Sequence, residues 1–368
     1  MRILHVEAGM HFYGGPRQVA YLIEGLAARG HECVLACPPG AAIGSKVSAH
    51  ARVHATAIRG DLDVLAVRRL ARVIRREKPD LVHAHSRRGA DVWSGLAAKV
   101  GGVPCVLSRR VDNPESRLAM STKYRLFDHV VAISEAIRRV MLSSGMAASR
   151  VTCVRSAVDA SPYLRPVDRA AFEREFDLPS GSLVIGMVAQ LIQRKGHHHL
   201  IEALGPLTRE FPRLRVVIFG KGPLERAIRA AVQERRLEAT VRFAGFRDDL
   251  PKWLGGLDVL AHPAEIEGLG VALLQAAAAG VPIVASRAGG MPEAVLEGVT
   301  GLLTEPGDAV QLAVALRTLL ADESVRRRMG EAGRARILAE FTVDVMVEGN
   351  LRVYEQVLSW KRGASTTA

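Results

Sequence analysis

Short apolar runs alternate with helix-patterned stretches along almost the whole chain, and this alternation restricts the fold more than any single motif does. "MRILHV" reads as a strand, "GGPRQVAYLIEGLAARGH" as a helix ending at Gly30, and "ECVLAC" as the next strand. The pattern continues through a helix over "DLDVLAVRRLARVIRREKPD" and the strands "LVHAH", "CVLSR", "HVVAIS" and "VTCVRS". Strand and helix in turn predict parallel sheets built from crossover units. Proline and turn residues in "VDASPYLRPVDRAAF" break the periodicity and put a linker near 158–168. A second series follows: "SLVIGMVAQ", "LRVVIFG", "ATVRFAG", "LDVLAHP", "VPIVAS" and "GLLTEP". Two doubly wound α/β halves are expected, with a crevice between them and ligands at the carboxyl ends of their strands.

Composition agrees. The 368 residues, 48% of them hydrophobic, suffice for two domain cores. No apolar run approaches the roughly 20 residues of a membrane span. "MRILHVEAGM" is too short and polar for a secretory signal, so a cytosolic location is expected. Cys33 and Cys37 share a strand, about 13 Å apart at strand rise, too far to bridge. With Cys105 and Cys153 they read as reduced thiols.

The net charge is +12, and all of it lies in the first half. Residues 1–165 carry 25 Lys and Arg against 13 Asp and Glu, while the remainder is balanced. Such a half either is simply solvated or meets an anionic partner. Nucleic acid is not the expected partner, because aromatics are only 5% and no stacking-rich basic motif is present.

Several strand ends carry chemistry-bearing residues. Gly14 and Gly15 follow the first strand and open a helix, a turn that brings amides to a phosphate; an ordinary tight turn reads the same way. The full dinucleotide fingerprint is absent. His83 and His85 alternate onto one face at a strand end, as site residues or as core histidines. "QRKGHHH" puts Arg194 and Lys195 before a helix start, which suits a diphosphate, or a solvated basic turn. The three histidines 197–199 are poorly disposed for one metal ion, since adjacent helical positions point about 100° apart. "GKGP" at 220–223 is another strand-end turn, and Asp61 and Asp63 read as helix-capping residues rather than a metal-binding D-x-D. In "EIEGLGVALLQ", Glu267 and the amides of Gly268, Leu269 and Gly270 precede a helix that carries Gln275. On a continuous helix Gln275 would lie about 12 Å from Glu267 along the axis, a spacing for two ends of one long ligand.

In order along the chain, Gly14-Gly15, "DLVHAH", "AIS" with Glu135, "QRKG", "GKGP", "FAGFRDD", "HPAEIEGLG", "AAAAGVPIVAS", "GGMPEAV" and "GLLTEPGD" resemble the retaining glycosyltransferases of family 4. The resemblance implies the GT-B fold, two facing Rossmann-like domains with an interdomain cleft. The domains would be 1–163, completed by a C-terminal helix at 350–368, and 164–349. It implies a nucleotide-sugar donor, uridine being the family's usual base, and no cofactor or metal. By the same resemblance, His85 would contact the donor sugar and Glu267 would hold its hydroxyls, the two being the catalytic pair. Gly14 and Gly15 would meet the diphosphate, Lys195 a phosphate, and Gly268, Leu269 and Gly270 would complete the cradle.

Two positions depart from the family pattern. Gln190 stands where an arginine for phosphate is usual, with Arg194 as its substitute, and Gln275 stands where a glutamate clasps the ribose. A glutamine both donates and accepts, whereas a carboxylate only accepts. The expected acceptor is an anionic glycan or lipid-linked glycan of lipopolysaccharide or related envelope polymers. Arg68, Arg69, Arg72, Arg75 and Arg76 fall within about 120° of one helix face, which would suit the inner surface of an anionic membrane or simply water. A sugar-nucleotide epimerase of the same fold and a silent sugar-nucleotide binder are the alternatives.

Overall fold

The computed structural model describes residues 1–85 and 89–366. It divides into two compact units, Met1–Ala157 together with the chain from Val343 onward, and Val158–Thr342. Both divisions fall a few residues before the boundaries read from the sequence.

The first unit holds seven strands: β1 (Arg2–Val6), β2 (Glu32–Cys37), β3 (Ala51–Ala55), β4 (Leu81–Ala84), β5 (Cys105–Arg109), β6 (His129–Ala132) and β7 (Val151–Cys153). They form one parallel sheet in the order β3-β2-β1-β4-β5-β6-β7. The order reverses between β1 and β4, where a doubly wound sheet opens its ligand crevice. Alternation along β1 explains the two cores. Leu4 and Val6 join Leu70, Val82, Leu107 and Ile137 on one face, and Ile3 joins Val19, Ile23, Leu35 and Val106 on the other. A parallel sheet covered on both faces needs such apolar strands. The helix α1 (Gly14–Ala28) and the final helix (Val343–Thr366) cover the second face, the latter through Val347, Tyr354 and Val357.

The second unit repeats the design with β8 (Leu183–Val188), β9 (Leu214–Phe219), β10 (Val241–Gly245), β11 (Val259–His262), β12 (Ile283–Ser286) and β13 (Gly301–Thr304). Their order is β10-β9-β8-β11-β12-β13, all parallel, with the reversal between β8 and β11. Val184 and Leu260 face one core, while Ile185, Met187, Val259 and Ala261 face the other.

Two local expectations differ from the structure. The helix after "GDLDVL" runs Leu65–Glu77 with Val64 at its cap and no side-chain capping bond. Asp63 instead accepts from the Arg59 amide at 2.9 Å and pairs with Arg69, so a nearby guanidinium outcompeted the helix amides for its carboxylate. The helix "VALLQAAAA" starts at Val271 as expected, but it does not extend back through Gly270, whose φ is +90. Glu267 therefore lies in the preceding loop, and the 12 Å helical spacing to Gln275 does not apply.

Candidate active site

In the first unit the reversal point collects the residues that follow β1, β4 and β5. The first amides of a helix lack intrahelical partners. In α1 they come from Gly14 and Gly15, since Pro16 has none to give. A Cβ at Gly15 would meet no atom within 4 Å, so packing does not require glycine there. The missing side chain leaves the helix start uncovered.

His85 is only 1% exposed. Its amide donates to Val6 O at 3.0 Å, and its carbonyl accepts from Arg110 Nε at 3.3 Å. His5 Nδ1 lies 2.9 Å from His85 Nε2, and the two rings stack with centroids 5.2 Å apart. His85 Nδ1 has no partner among the described residues. His83 pairs in register with His5 across the strands. Its nitrogens are engaged by Tyr354 Oη at 2.6 Å and Ser108 Oγ at 2.9 Å. Burial, then the neighbouring histidines, pushes the His85 imidazole well below its usual range, so it is neutral at physiological pH. His5, His83 and His85 have metal-ligand spacing, but both His83 nitrogens are already bonded within a sealed layer. The residues 86–88 that follow lie outside the described set.

The second unit presents a denser cluster between the ends of β8 and β11. The β8 loop ends at Gly196, whose φ is +70; a Cβ there would lie 1.9 Å from Pro263 O. Glycine thus lets the start of the helix His197–Glu210 press against the β11 loop. Glu265 N donates to Arg194 O at 2.9 Å, which ties the same two segments.

Across this junction Lys195 Nζ contacts Glu267 Oε2, and His262 Nε2 lies 3.1 Å from the same oxygen. Both partners take Oε2, so Oε1 faces no hydrogen-bond partner among the described residues. Burial alone would raise the Glu267 carboxyl. The His262 bond and the Lys195 charge outweigh it and hold the group well below the usual carboxylate range. His262 is buried and its pKa lowered, chiefly by that burial and partly offset by Glu267; as a neutral ring bonded through Nε2 it donates to the carboxylate. His197, 3% exposed with neither ring nitrogen bonded, is lowered to about 4 by burial.

The remaining sequence candidates spread around this cluster. Arg194 is exposed, with Nη1 3.4 Å from Ile266 O, and Gln190 is exposed at the β8 end. Gly268, Leu269 and Gly270 are buried between Glu267 and the helix Val271–Ala278. Gln275 is 8% exposed on that helix, with no side-chain hydrogen bond to a described residue. The structure brings Lys195 and Glu267 into contact but leaves Gln275 without a link to either.

Sequence reasoning passed over four residues of these clusters. His262 stood in "LAHP" and could have been flagged as a strand-end histidine. His5 stood in "RILHV", in line with His83. Glu7 is 2% exposed just after β1 and accepts from the Gly9 amide at 2.7 Å; Arg110 follows β5.

Two parallel sheets, each wound both ways from a central strand pair, with charged and glycine-rich loops at the reversal points, are the architecture of the GT-B fold. The structure superposes on Anabaena HepE, solved in complex with UDP, with a TM-score of 0.85 at 22% identity over 97% of this chain and 100% of the other. Residues 13–161 match the family model described as Glycosyltransferase Family 4, and 168–336 the one described as Glycosyl transferases group 1. The chain belongs to glycosyltransferase family 4. The lipopolysaccharide core biosynthesis glycosyltransferase LpsE of Rhizobium meliloti is 27% identical over 96% of this chain and 98% of its own. A D-inositol 3-phosphate glycosyltransferase of Corynebacterium glutamicum is 32% identical over 70% of this chain and 68% of its own.

Proposed function

We propose that this glycosyltransferase moves a hexose from a UDP-sugar to an anionic glycan or lipid-linked acceptor of the lipopolysaccharide type, with retention at the anomeric carbon. The observation that carries the reading is the Lys195–Glu267–His262 contact at the β8/β11 reversal point. A cation, a fixed carboxylate and glycine amides together at such a reversal point support the binding of a diphospho-sugar there. The near full-length likeness to LpsE supports the acceptor class, and the UDP in HepE supports the base.

In this reading Glu267 Oε1 accepts from donor-sugar hydroxyls while Oε2 stays pinned. A carboxylate held so far below its usual range is a weak base, so Glu267 positions and does not take the acceptor's proton. The acceptor oxygen bonds to the anomeric carbon on the face from which the phosphate departs. The bond from that carbon to the phosphate oxygen breaks, and the acceptor proton passes to the departing oxygen. In the second unit Arg194 and Lys195 stabilise the leaving diphosphate, so the reaction needs no metal ion; in the first unit the amides of Gly14 and Gly15 are the phosphate-binding candidates. His85, a neutral imidazole with an unpaired Nδ1, contacts the sugar. Gln275 meets the ribose, and Gln190 stands at the phosphate end.

The acceptor side belongs to the basic first unit. On the helix Leu65–Glu77, Arg68, Arg72, Arg75 and Arg76 are exposed, while Arg69 is drawn to Asp63 and Ala57 O. Just before them Leu62 is 95%, Val64 62% and Leu65 53% exposed. Apolar side chains beside a row of arginines suit the headgroup region of an anionic leaflet. No helix among the described residues is long and apolar enough to cross a membrane. Attachment to the cytoplasmic face is therefore peripheral in this reading.

The test is incubation with a panel of UDP-, GDP- and ADP-sugars and truncated lipooligosaccharide acceptors, with EDTA present. The expected result is acceptor-dependent release of UDP and a product whose anomeric configuration by NMR matches the donor. An inverted product, or sugar isomerisation with donor alone, would overturn it.

A further inference from the structure

We propose that His198, His199 and Glu265 form a binding site for a transition-metal dication of the zinc class, separate from the donor-binding residues. The three ligand atoms lie within 4.8 Å of one another. His199 Nε2 is 3.0 Å from Glu265 Oε1 and His198 Nε2 is 3.8 Å from the same oxygen. A zinc ion with bonds near 2.0–2.2 Å spaces tetrahedral ligands about 3.3 Å apart. The two separations from Glu265 bracket that value and the one between the histidine nitrogens is at most 4.8 Å, so side-chain rotation without backbone movement can close the site.

The geometry differs from what adjacent helical positions suggest. Their Cα–Cβ directions diverge, but the rings turn together, with centroids 3.8 Å apart. Glu265 is why they converge. It comes from the β11 loop, and its amide is held by Arg194 O at the helix start. The carboxylate therefore stands over the first turn, within reach of both rings. His198 and Glu265 are exposed, so an ion can enter and water can complete its shell. Two imidazoles and one carboxylate select Zn²⁺, Co²⁺, Ni²⁺ or Cu²⁺ over the oxygen-seeking Mg²⁺ and Ca²⁺. A bound ion would pin the loop carrying Glu267 to the helix that follows Lys195, and so would stiffen the second unit. The inference concerns binding alone and does not depend on the transfer reaction proposed above.

The test is calorimetric titration of metal-free full-length protein with ZnCl2 and with MgCl2, alongside His198→Ala, His199→Ala and Glu265→Gln. The expected result is one zinc per chain, no magnesium binding, and at least about tenfold weaker zinc binding in each variant, since even outer-shell partners contribute that much. Zinc should also raise the thermal midpoint of the wild type more than that of His198→Ala, an exposed substitution that spares the core. Co²⁺ should give the visible absorption of a four- or five-coordinate site, lost in His199→Ala. Absence of zinc binding, or zinc binding unchanged in any one of the three folded variants, would overturn the site.

Discussion

His262 is the residue on which the proposed donor site depends most sharply. Its Nε2 lies 3.1 Å from Glu267 Oε2, it is fully buried, and its Nδ1 is unpaired among the described residues. Replacing it with phenylalanine keeps an aromatic ring, though a slightly larger one, removes an unpaired buried nitrogen, and deletes one hydrogen bond to a carboxylate. A bond to a charged group contributes about 1.5–3 kcal/mol. If that energy orients Glu267 for the donor, kcat/KM should fall roughly ten- to 150-fold, at 1.36 kcal/mol per decade. Lys195 still contacts Glu267, so the thermal midpoint should move far less than activity. His262→Gln keeps an N–H donor and should recover part of the loss. There is also a titration signature. The His262 bond helps hold the Glu267 carboxyl down, so its removal should raise that pKa and shift the acid limb of donor affinity to higher pH. Steady-state kinetics with varied donor at several pH values make the measurement. A folded His262→Phe protein with wild-type kcat/KM and an unmoved acid limb would refute the positioning argument.

Other perturbations have equally definite outcomes. Gln275→Glu should fold, lose about 1–3 kcal/mol of ligand-free stability from a carboxylate at an 8% exposed site without partners, and change donor KM more than turnover; kinetics in which neither parameter moved would count against ribose contact. Acid should destabilise the fold through its buried histidines. His197 is lowered to about 4 from an unfolded value near 6.5, so its contribution is full above pH 6.5 and is lost as pH falls towards 4, about 2 kcal/mol by pH 5. Urea unfolding at pH 7 and pH 5 should show this, with a smaller pH difference in His197→Gln. Charge removal on the basic helix, as Arg72→Gln with Arg75→Gln, should weaken co-sedimentation with anionic vesicles and leave hydrolysis of soluble donor unchanged; binding that ignores both salt and the substitutions would exclude the membrane reading.

The alternation of strands and helices made both sheets legible in advance, because a parallel sheet buried on both faces requires near-continuous apolar strands with crossover helices between them. The same logic placed Gly14, His85, Lys195 and Glu267 at strand ends. What the pattern could not convey was pairing across long separations. Lys195 and Glu267 are 72 residues apart and meet only because Gly196 lets two loops press together. His262 looked like any apolar-run histidine until Glu267 was found beside it, and His198 and His199 share a partner only because Glu265 crosses from another loop. Asp63 was misread because a cap and a guanidinium partner compete for the same carboxylate, and nothing local decides between them. The helix start at Val271 was legible from Gly268 and Gly270; the distance from Glu267 to Gln275 was not, because it follows the path of a loop and not a helical rise.

In the proposed donor site the Lys195–Glu267–His262 cluster holds the sugar end of a nucleotide-sugar. Calorimetric titration of UDP and of UDP-hexoses into wild type and Glu267→Ala tests this role most directly. Both proteins should bind UDP, wild type should bind one UDP-hexose more tightly than UDP, and Glu267→Ala should lose this increment. Failure of the wild type to bind UDP, or an increment that survives in folded Glu267→Ala, would contradict this role.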